Sequence, residues 1–501
     1  MTTGTLPIIR NVATGVPGLD AVLGGGLCEY SFNLIAGPPG SGKTTLVHQI
    51  LFANATAERT AIYFTVLGEP TLKMIRYQQQ FGFFDASKVH SAIRFVNLGA
   101  EAAGADLDAL QARIVAEITE RQPAFVAVDS FLTIGGHVAQ GADRSAPSLA
   151  DFIQRLALLL TSWEVTSFLI GEYSGHEARH PVFTVADSIL WLAEDVDRNS
   201  AVRKLRAMKV RGRSPIPGLH TFRIGDAGVE VFPRIPEQQH DRITRSTKRL
   251  RTGVPGLDEM MCGGIPEGDA VMLTGPAGSG KTTLASQFVA QGLSEGDNCV
   301  VAVFEEYPEA FLARSKSGPV DFGEMIAAKR LSLVYLRPMT LSVDEMLVEL
   351  ATTVKHANAK RVVIDSLSGF EIALAPTFRL DFRESLYRLV GALTATGVTV
   401  MMTAEVIDVF PEIRFTNERV SFVTDDIVAQ RYVEIDGHLE KVLAVVKMRG
   451  SDHATDFRRY RLTPSGAVIG EALRGYHGIT TGVPTRDDPC VGPPNDVAGK
   501  A

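Results

Sequence analysis

Two stretches of this sequence carry glycines, a lysine and a hydroxyl at phosphate-binding spacing. The first is Gly37-Pro38-Pro39-Gly40-Ser41-Gly42-Lys43-Thr44-Thr45, and the second is Gly275-Pro276-Ala277-Gly278-Ser279-Gly280-Lys281-Thr282-Thr283. Glycines let backbone N–H groups approach phosphate oxygens, and the start of a helix adds positive potential there. Lys43 and Lys281 supply a cation for the outer phosphates, while the hydroxyls of Thr44 and Thr282 can hold Mg²⁺. A chance glycine-rich turn is the bland reading of one such stretch. Two, each following an apolar run and opening a helical one, leave it little room.

Two aspartates extend the same chemistry. Asp129 ends FVAVD and Asp365 ends RVVID, each about 85 residues past its lysine and each followed by serine. A carboxylate at the tip of a buried parallel strand lies where such sheets bind ligands, so it can orient the magnesium shell. The competing role is a helix N-cap. Glu305 and Glu306 follow the run CVVAVF, where one of the two can face a γ-phosphate and act as a general base while its neighbour tunes it. Glu305 is also a candidate metal ligand, and a solvated turn is the plain alternative for the pair. Aligned on Pro70 and Pro308, the first half has Leu67 and Gly68 at these positions and keeps Glu69 one place late. A one-residue shift turns a strand side chain to the other face.

These residues need a scaffold, and the chain repeats one. TGVPGLD at 14–20 returns at 252–258, an offset of 238 residues that the phosphate loops share, as do Lys209-Val210-Arg211-Gly212 and Lys447-Met448-Arg449-Gly450. Asp129 and Asp365 differ by 236, so a small deletion and its compensation lie between the landmarks. A period this long means duplicated domains. The expected organisation is a first domain over 1–235, a linker over 236–250 in the polar stretch before Arg251, a second domain over 251–475, and a tail over 476–501. Within each copy, short apolar runs such as SFNLIA, AIYFT and FVAVDS alternate with longer helical stretches, the order of βαβ units on a mainly parallel sheet flanked by helices. SILWLAE and LRAMKV, with no long helix between them, are expected to end the first sheet with antiparallel strands.

The chain has 501 residues, 45% apolar and 21% charged, which suits two soluble globular domains. Its formal net charge of −7 argues against a non-specific nucleic-acid binder. Four cysteines, at 28, 262, 299 and 490, show neither metal-ligand spacing nor a disulfide framework. The opening MTTGTLPIIRNVATG lacks the basic-then-apolar pattern of a signal peptide, and no apolar run is long enough to span a bilayer, so a cytoplasmic location is expected.

TGxxxLD, the phosphate loop, Phe304-Glu305-Glu306-Tyr307-Pro308, the strand-end Asp-Ser and Lys-x-Arg-Gly together resemble the tandem RecA-like ATPases of the KaiC type, over about residues 10 to 485. Gly482-Val483-Pro484-Thr485-Arg486 is similar to that family's ending. The resemblance implies two RecA-like P-loop domains, ATP and Mg²⁺ as cofactors, and a homo-hexamer of two stacked rings with nucleotide between subunits. It also implies that Lys209, Arg211, Lys447 and Arg449 reach a neighbour's nucleotide, and that a KaiB-like protein is a partner. Because the first half lacks the glutamate pair, its ring is expected to hold ATP and turn it over slowly, with the second ring doing most of the chemistry.

Clock-type members phosphorylate a Ser-Thr pair in the second half. Here the matching stretch has Ser421 followed by Phe422, so a two-site cycle is not expected, and a single acceptor at Ser421, with Thr416 or Thr424 as minor ones, stays open beside plain hydrolysis. The two reactions use the same base and metal and differ in which hydroxyl lies in line with the γ-phosphate. Two rival readings are a DNA-dependent recombinase or helicase-type motor and an ATP-gated binding scaffold. The first would want a basic channel or an added DNA-binding module; no zinc-finger spacing or basic tail is visible.

Overall fold

The structure, a computed structural model, describes residues 10–66, 71–103, 107–130, 149–173, 181–197, 200–234, 247–304, 306–315, 319–335, 342–373, 382–406, 423–479 and 484–486. Contacts divide the chain into two units, Met1–Pro236 and Glu237–Ala501. Arg249–Leu250 pairs with Ile265–Pro266, so these two residues of the 236–250 stretch belong to the second unit. Past residue 475, Tyr476–His477 pairs with Thr485–Arg486.

The first unit is built on nine strands: β1 (Phe32–Gly37), β2 (Ala61–Thr65), β3 (Ile93–Asn97), β4 (Phe125–Asp129), β5 (Thr166–Glu172), β6 (Ser188–Asp197), β7 (Ser200–Val210), β8 (His220–Gly225) and β9 (Gly228–Phe232). Across the sheet they run β3-β2-β4-β5-β1-β6-β7-β8-β9. The six strands from β3 to β6 pair in parallel, and β6 to β9 form an antiparallel meander, as the lack of helices after residue 188 requires.

The second unit repeats this order strand for strand. Its strands are β10 (Ala270–Gly275), β11 (Cys299–Val303), β12 (Leu331–Tyr335), β13 (Arg361–Asp365), β14 (Thr399–Glu405), β15 (Asp426–Ile435), β16 (His438–Met448), β17 (Arg458–Thr463) and β18 (Gly466–Ala472). They lie in the order β12-β11-β13-β14-β10-β15-β16-β17-β18.

Why these runs become central strands is visible in their burial: every residue of β1, β2, β10 and β11 is buried, which suits a parallel sheet covered on both faces. On one face of the first sheet, Leu46 and Ile50 of helix α1 (Lys43–Asn54) pack with Ile35 and Tyr63. On the other, Leu110 and Ile114 of α2 (Leu107–Arg121) and Phe152 and Leu156 of α3 (Leu149–Ser162) pack with Leu34 and Phe64. Each such side chain contributes about 1.5–3 kcal/mol on burial.

The helix after each phosphate loop is also fastened from outside the parallel strands. Gln49 of α1 donates to Val229 O at 3.1 Å and accepts from Val229 N at 2.7 Å. Gln287, on α4 (Lys281–Glu295), accepts from Ala467 N at 2.8 Å. The repeated TGVPGLD closes the turn that enters each domain. Thr14 N and Oγ1 donate to Asp20 Oδ1 at 2.9 and 2.7 Å, and Thr252 N and Oγ1 donate to Asp258 Oδ1, both at 2.7 Å.

Candidate nucleotide site

Each phosphate loop runs from the end of the central strand into a helix N-terminus, β1 into α1 and β10 into α4. The helices start at Gly42 and Gly280, whose φ angles of 95° and 101° lie in the left-handed region. A Cβ at Gly42 would stand 2.5 Å from Ile224 Cδ1, and one at Gly280 2.6 Å from Leu462 Cδ2, so a side chain at either would strain the backbone and displace that neighbour. The loop curls round its own lysine. Lys43 Nζ donates to Gly37 O at 3.0 Å and Pro38 O at 2.7 Å, and Lys281 Nζ donates to Gly275 O and Pro276 O, both at 2.9 Å. Burial lowers the Lys43 pKa, against the opposing pull of Glu172 and Asp129. Both loops therefore hold their cation at their centre.

Asp129 lies at the C-terminal end of β4, beside the loop, and accepts from Thr44 Oγ1 at 2.7 Å. The helix N-cap alternative is thus joined by direct contact with the metal-candidate threonine of the first half. Burial raises the Asp129 pKa, while hydrogen bonds from Tyr63 and Thr44 and the charge of Lys43 lower it. Asp365 occupies the same tip of β13, but its carboxylate is held by Thr403 of β14, whose Oγ1 donates to Oδ1 at 2.5 Å. A hydroxyl next to a carboxylate, open toward a phosphate loop, suits Mg²⁺, which takes one or two protein oxygens and completes its shell with water and phosphate. The described residues contain no group of three or more His, Cys, Asp or Glu that could hold a metal ion. Thr44 with Asp129 would hold the ion in the first half; in the second, Thr282 in the first turn of α4 and Asp365 at the tip of β13 occupy the corresponding places.

Thr45 and Thr283 sit in the first turn of α1 and α4, one residue past Thr44 and Thr282. Gly40 and Gly278, with φ of 75° and 72°, form the middle of each loop. Glu306 lies half-buried just past β11, next to the tip of β13, where Phe304 N donates to Asp365 O at 3.3 Å. Glu305 lies outside the described residues, as do Leu67, Gly68 and Glu69, and Ser421 and Thr416. Thr424 is wholly buried, its carbonyl accepting from Lys447 Nζ at 2.5 Å, so its hydroxyl is not presented as a phosphate acceptor.

The basic pairs stand elsewhere. Lys209, next to last in β7, donates to Thr184 O at 3.1 Å; Arg211 donates to Asp187 Oδ1 at 2.9 Å. The other oxygen of Asp187 accepts from Phe32 N, at the start of β1. Arg449 lies 3.8 Å from Asp425, which likewise accepts from Ala270 N at the start of β10. Five residues of strand, about 16 Å at 3.3 Å each, separate Phe32 from Gly37. Each pair is therefore at the opposite end of its sheet from its own phosphate loop. A bulge precedes each lysine: Ile189 pairs with Lys209 but Leu190 with Ala207, and Ile427 with Lys447 but Val428 with Val445. The extra residues are Met208 and Val446, and such bulges re-aim the side chains beside them. Burial and the neighbouring arginine lower the pKa of Lys209 and of Lys447.

Two sets of residues near the loops escaped sequence reasoning. Glu172 and Glu405 end the strands beside the central ones, in register with Gly37 and Gly275. Their signal was present: each closes an apolar run, TSFLIGE and TVMMTAE. Being in both halves, they do not explain a difference between them. The second set does differ. Ser279 Oγ donates to Gln430 Oε1 at 3.0 Å, Tyr460 OH to Ser279 O at 2.5 Å, Lys441 Nζ to Gly278 O at 3.0 Å and Tyr432 OH to Ala277 O at 3.3 Å. The repeat offset puts Leu192, Phe222, Arg203 and Glu194 at these positions in the first half, where Arg203 and Glu194 pair with each other at 3.5 Å. These four polar groups of the meander grip the second loop, and their counterparts among the described residues do not grip the first.

Two nine-stranded, mostly parallel sheets, each with a phosphate loop between its central strand and a helix, define a tandem RecA-like P-loop ATPase. The family is narrower: the model of the KaiC ATPase family matches residues 12–235 and again 250–474, so the chain belongs to that family. It is similar to the circadian clock oscillator protein KaiC of Picosynechococcus sp. (strain ATCC 27264 / PCC 7002 / PR-6), 28% identical over 495 residues that cover 96% of this chain and 94% of that protein. The KaiC of Thermosynechococcus vestitus (strain NIES-2133 / IAM M-273 / BP-1) is 28% identical over 490 residues, 95% and 92% of the two chains. Circadian clock protein KaiC3 of Synechocystis sp. (strain ATCC 27184 / PCC 6803 / Kazusa) is 27% identical over 491 residues, 95% of each. No helix among the described residues is long and apolar enough to cross a membrane.

Proposed function

We propose that this ATPase works as a double-ring homo-hexamer in which the second half performs most ATP hydrolysis and the first half retains Mg-ATP mainly to hold the ring. The observation that carries this reading is the unequal dress of two equal loops. Lys43 and Lys281 are seated alike, yet Glu305 and Glu306 follow β11 where the first half has Leu67 and Gly68, and the second loop is the one gripped from the meander. Losing a positioned base costs about a hundredfold or more in rate and largely spares binding. The position of Lys209, Arg211, Lys447 and Arg449 at the far end of their own sheets supports nucleotide contacts between subunits. A partner similar to KaiB, docking on one ring state, fits a slow, timing ATPase.

Phosphate transfer to Ser421 would use the same base, metal and lysine, with the serine hydroxyl in the place of water. The test is phosphate release and intact mass after incubation with Mg-ATP, for the full chain and for Lys43→Ala, Lys281→Ala and the double Glu305→Gln, Glu306→Gln variant. The expected result is that Lys281→Ala and the double glutamine variant lose most release, while Lys43→Ala weakens assembly and keeps second-half turnover in the rings that form. Equal losses from Lys43→Ala and Lys281→Ala in assembled rings would sink the division of labour. A phosphate adduct at Ser421, absent from the double glutamine variant, would add autokinase activity; its absence would leave hydrolysis alone.

A further inference from the structure

Asp129 Oδ2 accepts a second hydrogen bond besides that from Thr44: Tyr63 OH donates to it at 2.6 Å. Tyr63 is the middle residue of β2 and is wholly buried. Its ring stacks on that of His48 from α1, centroids 4.3 Å apart with 30° between the planes, and Phe95 of β3 closes on both rings at 5.7 and 5.9 Å. The phenol is thus held by a packed aromatic cluster and has one place to put its hydroxyl. Among the described residues no donor reaches Asp129 Oδ1. With both donors on Oδ2, the carboxylate is locked about its last torsion and Oδ1 is left to act outward.

None of this is repeated. At the matching positions the second half has Ser286 for His48 and Val301 for Tyr63, and Asp365 is held instead by Thr403 through Oδ1. The cluster is therefore not a requirement of the fold or of the phosphate loop. We infer that Tyr63, braced by His48, is a positioning residue that presets Asp129 beside Thr44, so that the first half captures Mg-nucleotide at a low metal concentration. This rests on the reading that the first half retains Mg-ATP, and it supplies a device for retention. Removing an outer partner of a metal-orienting carboxylate weakens metal affinity on the order of tenfold or more.

The test uses the full chain carrying Lys281→Ala, so that the first half is the retaining site, with a fluorescent N-methylanthraniloyl ATP as probe. Magnesium is titrated at fixed probe, and probe affinity is also measured in EDTA. Tyr63→Phe keeps the ring and its stacking, so folding is preserved. The expected result is a rise in half-saturating Mg²⁺ on the order of 10-fold with affinity in EDTA unchanged. His48→Leu, which removes the brace and keeps the phenol, is expected to move the midpoint in the same direction by less. An unchanged midpoint in Tyr63→Phe, or affinity in EDTA falling in step with it, overturns the positioning role. If the parent Lys281→Ala chain retains no probe, the first half is not a nucleotide site and the inference falls with that reading, at a step separate from the effect of Tyr63.

Discussion

His48 shows what a single residue of this aromatic cluster costs. It is completely buried on α1, neither ring nitrogen has a hydrogen-bond partner among the described residues, and burial pushes its pKa down to about 3 against a weaker opposing effect of Gln78. The folded protein therefore keeps the ring neutral in a range where the unfolded chain, with a pKa near 6.5, takes up a proton. The unfolded state binds more protons between those two values, so stability falls as pH drops from about 6.5 toward 3, by an amount on the order of a few kcal/mol. Denaturant midpoints at stepwise lower pH should show this slope in the first unit, and His48→Leu should flatten it. A slope unchanged in His48→Leu would assign the acid sensitivity to other groups. Asp129, whose pKa burial raises, contributes with the opposite sign as pH falls toward the ordinary carboxylate range, because its protonation is favoured in the folded state.

Among the elements, the strand that ends in the metal-candidate aspartate is anchored differently in the two halves. β13 starts with Arg361, fully buried, which donates to Glu295, the last residue of α4, at 2.5 Å, to Asp297 just past it at 3.0 Å, and to the carbonyls of Arg251 and Phe288. β4 starts with Phe125 instead, and Arg59, at the repeat position of Asp297, lies over that ring at 5.2 Å. The charge has moved from strand to loop: Arg59 lies over Phe125 and pairs with Glu29 at 3.2 Å, whereas Arg361 lies over Phe288 at 4.7 Å and pairs with two acids behind the strand. Arg361→Ala leaves the buried Asp297 with only the half-exposed Lys360, 3.4 Å away, and should destabilise the second unit by about 3 kcal/mol, whereas Arg361→Met with Asp297→Asn should cost far less. Thermal melts of the two variants decide this; equal losses would show that the guanidinium acts through packing. Such exchanges mark what the sequence could reveal. Strand tips, phosphate loops and antiparallel ends were legible because each is written in a local run of apolar, glycine or basic residues. The hydroxyls that hold the aspartates, Tyr63 in one half and Thr403 in the other, were not legible, since each lies a strand away and looks like an ordinary β-sheet residue. The same holds for Gln430, Tyr432, Lys441 and Tyr460, whose approach to the second loop depends on the register of the meander.

At the scale of the whole molecule, the proposed ring turns the separation of each basic pair from its own loop into a requirement on assembly. Lys447 and Arg449 sit at the start of β10 through Asp425, while Lys281 sits at its end, so a site that needs both must draw them from two chains. In a closed ring each chain then lends its basic pair to one neighbour and receives from the other, a heterologous contact that rotation closes. Subunit mixing tests this directly. A chain with Lys281→Ala has a dead loop and an intact pair; a chain with Lys447→Ala and Arg449→Ala has the reverse. Each is expected to hydrolyse ATP weakly alone. Mixed one to one and reassembled at random, roughly a quarter of the interfaces join an intact loop to an intact pair, and phosphate release should recover to about that share of the unsubstituted protein. If loop and pair served the same chain, no mixture would contain a complete second-half site and release would stay at the level of the two variants, whatever their ratio.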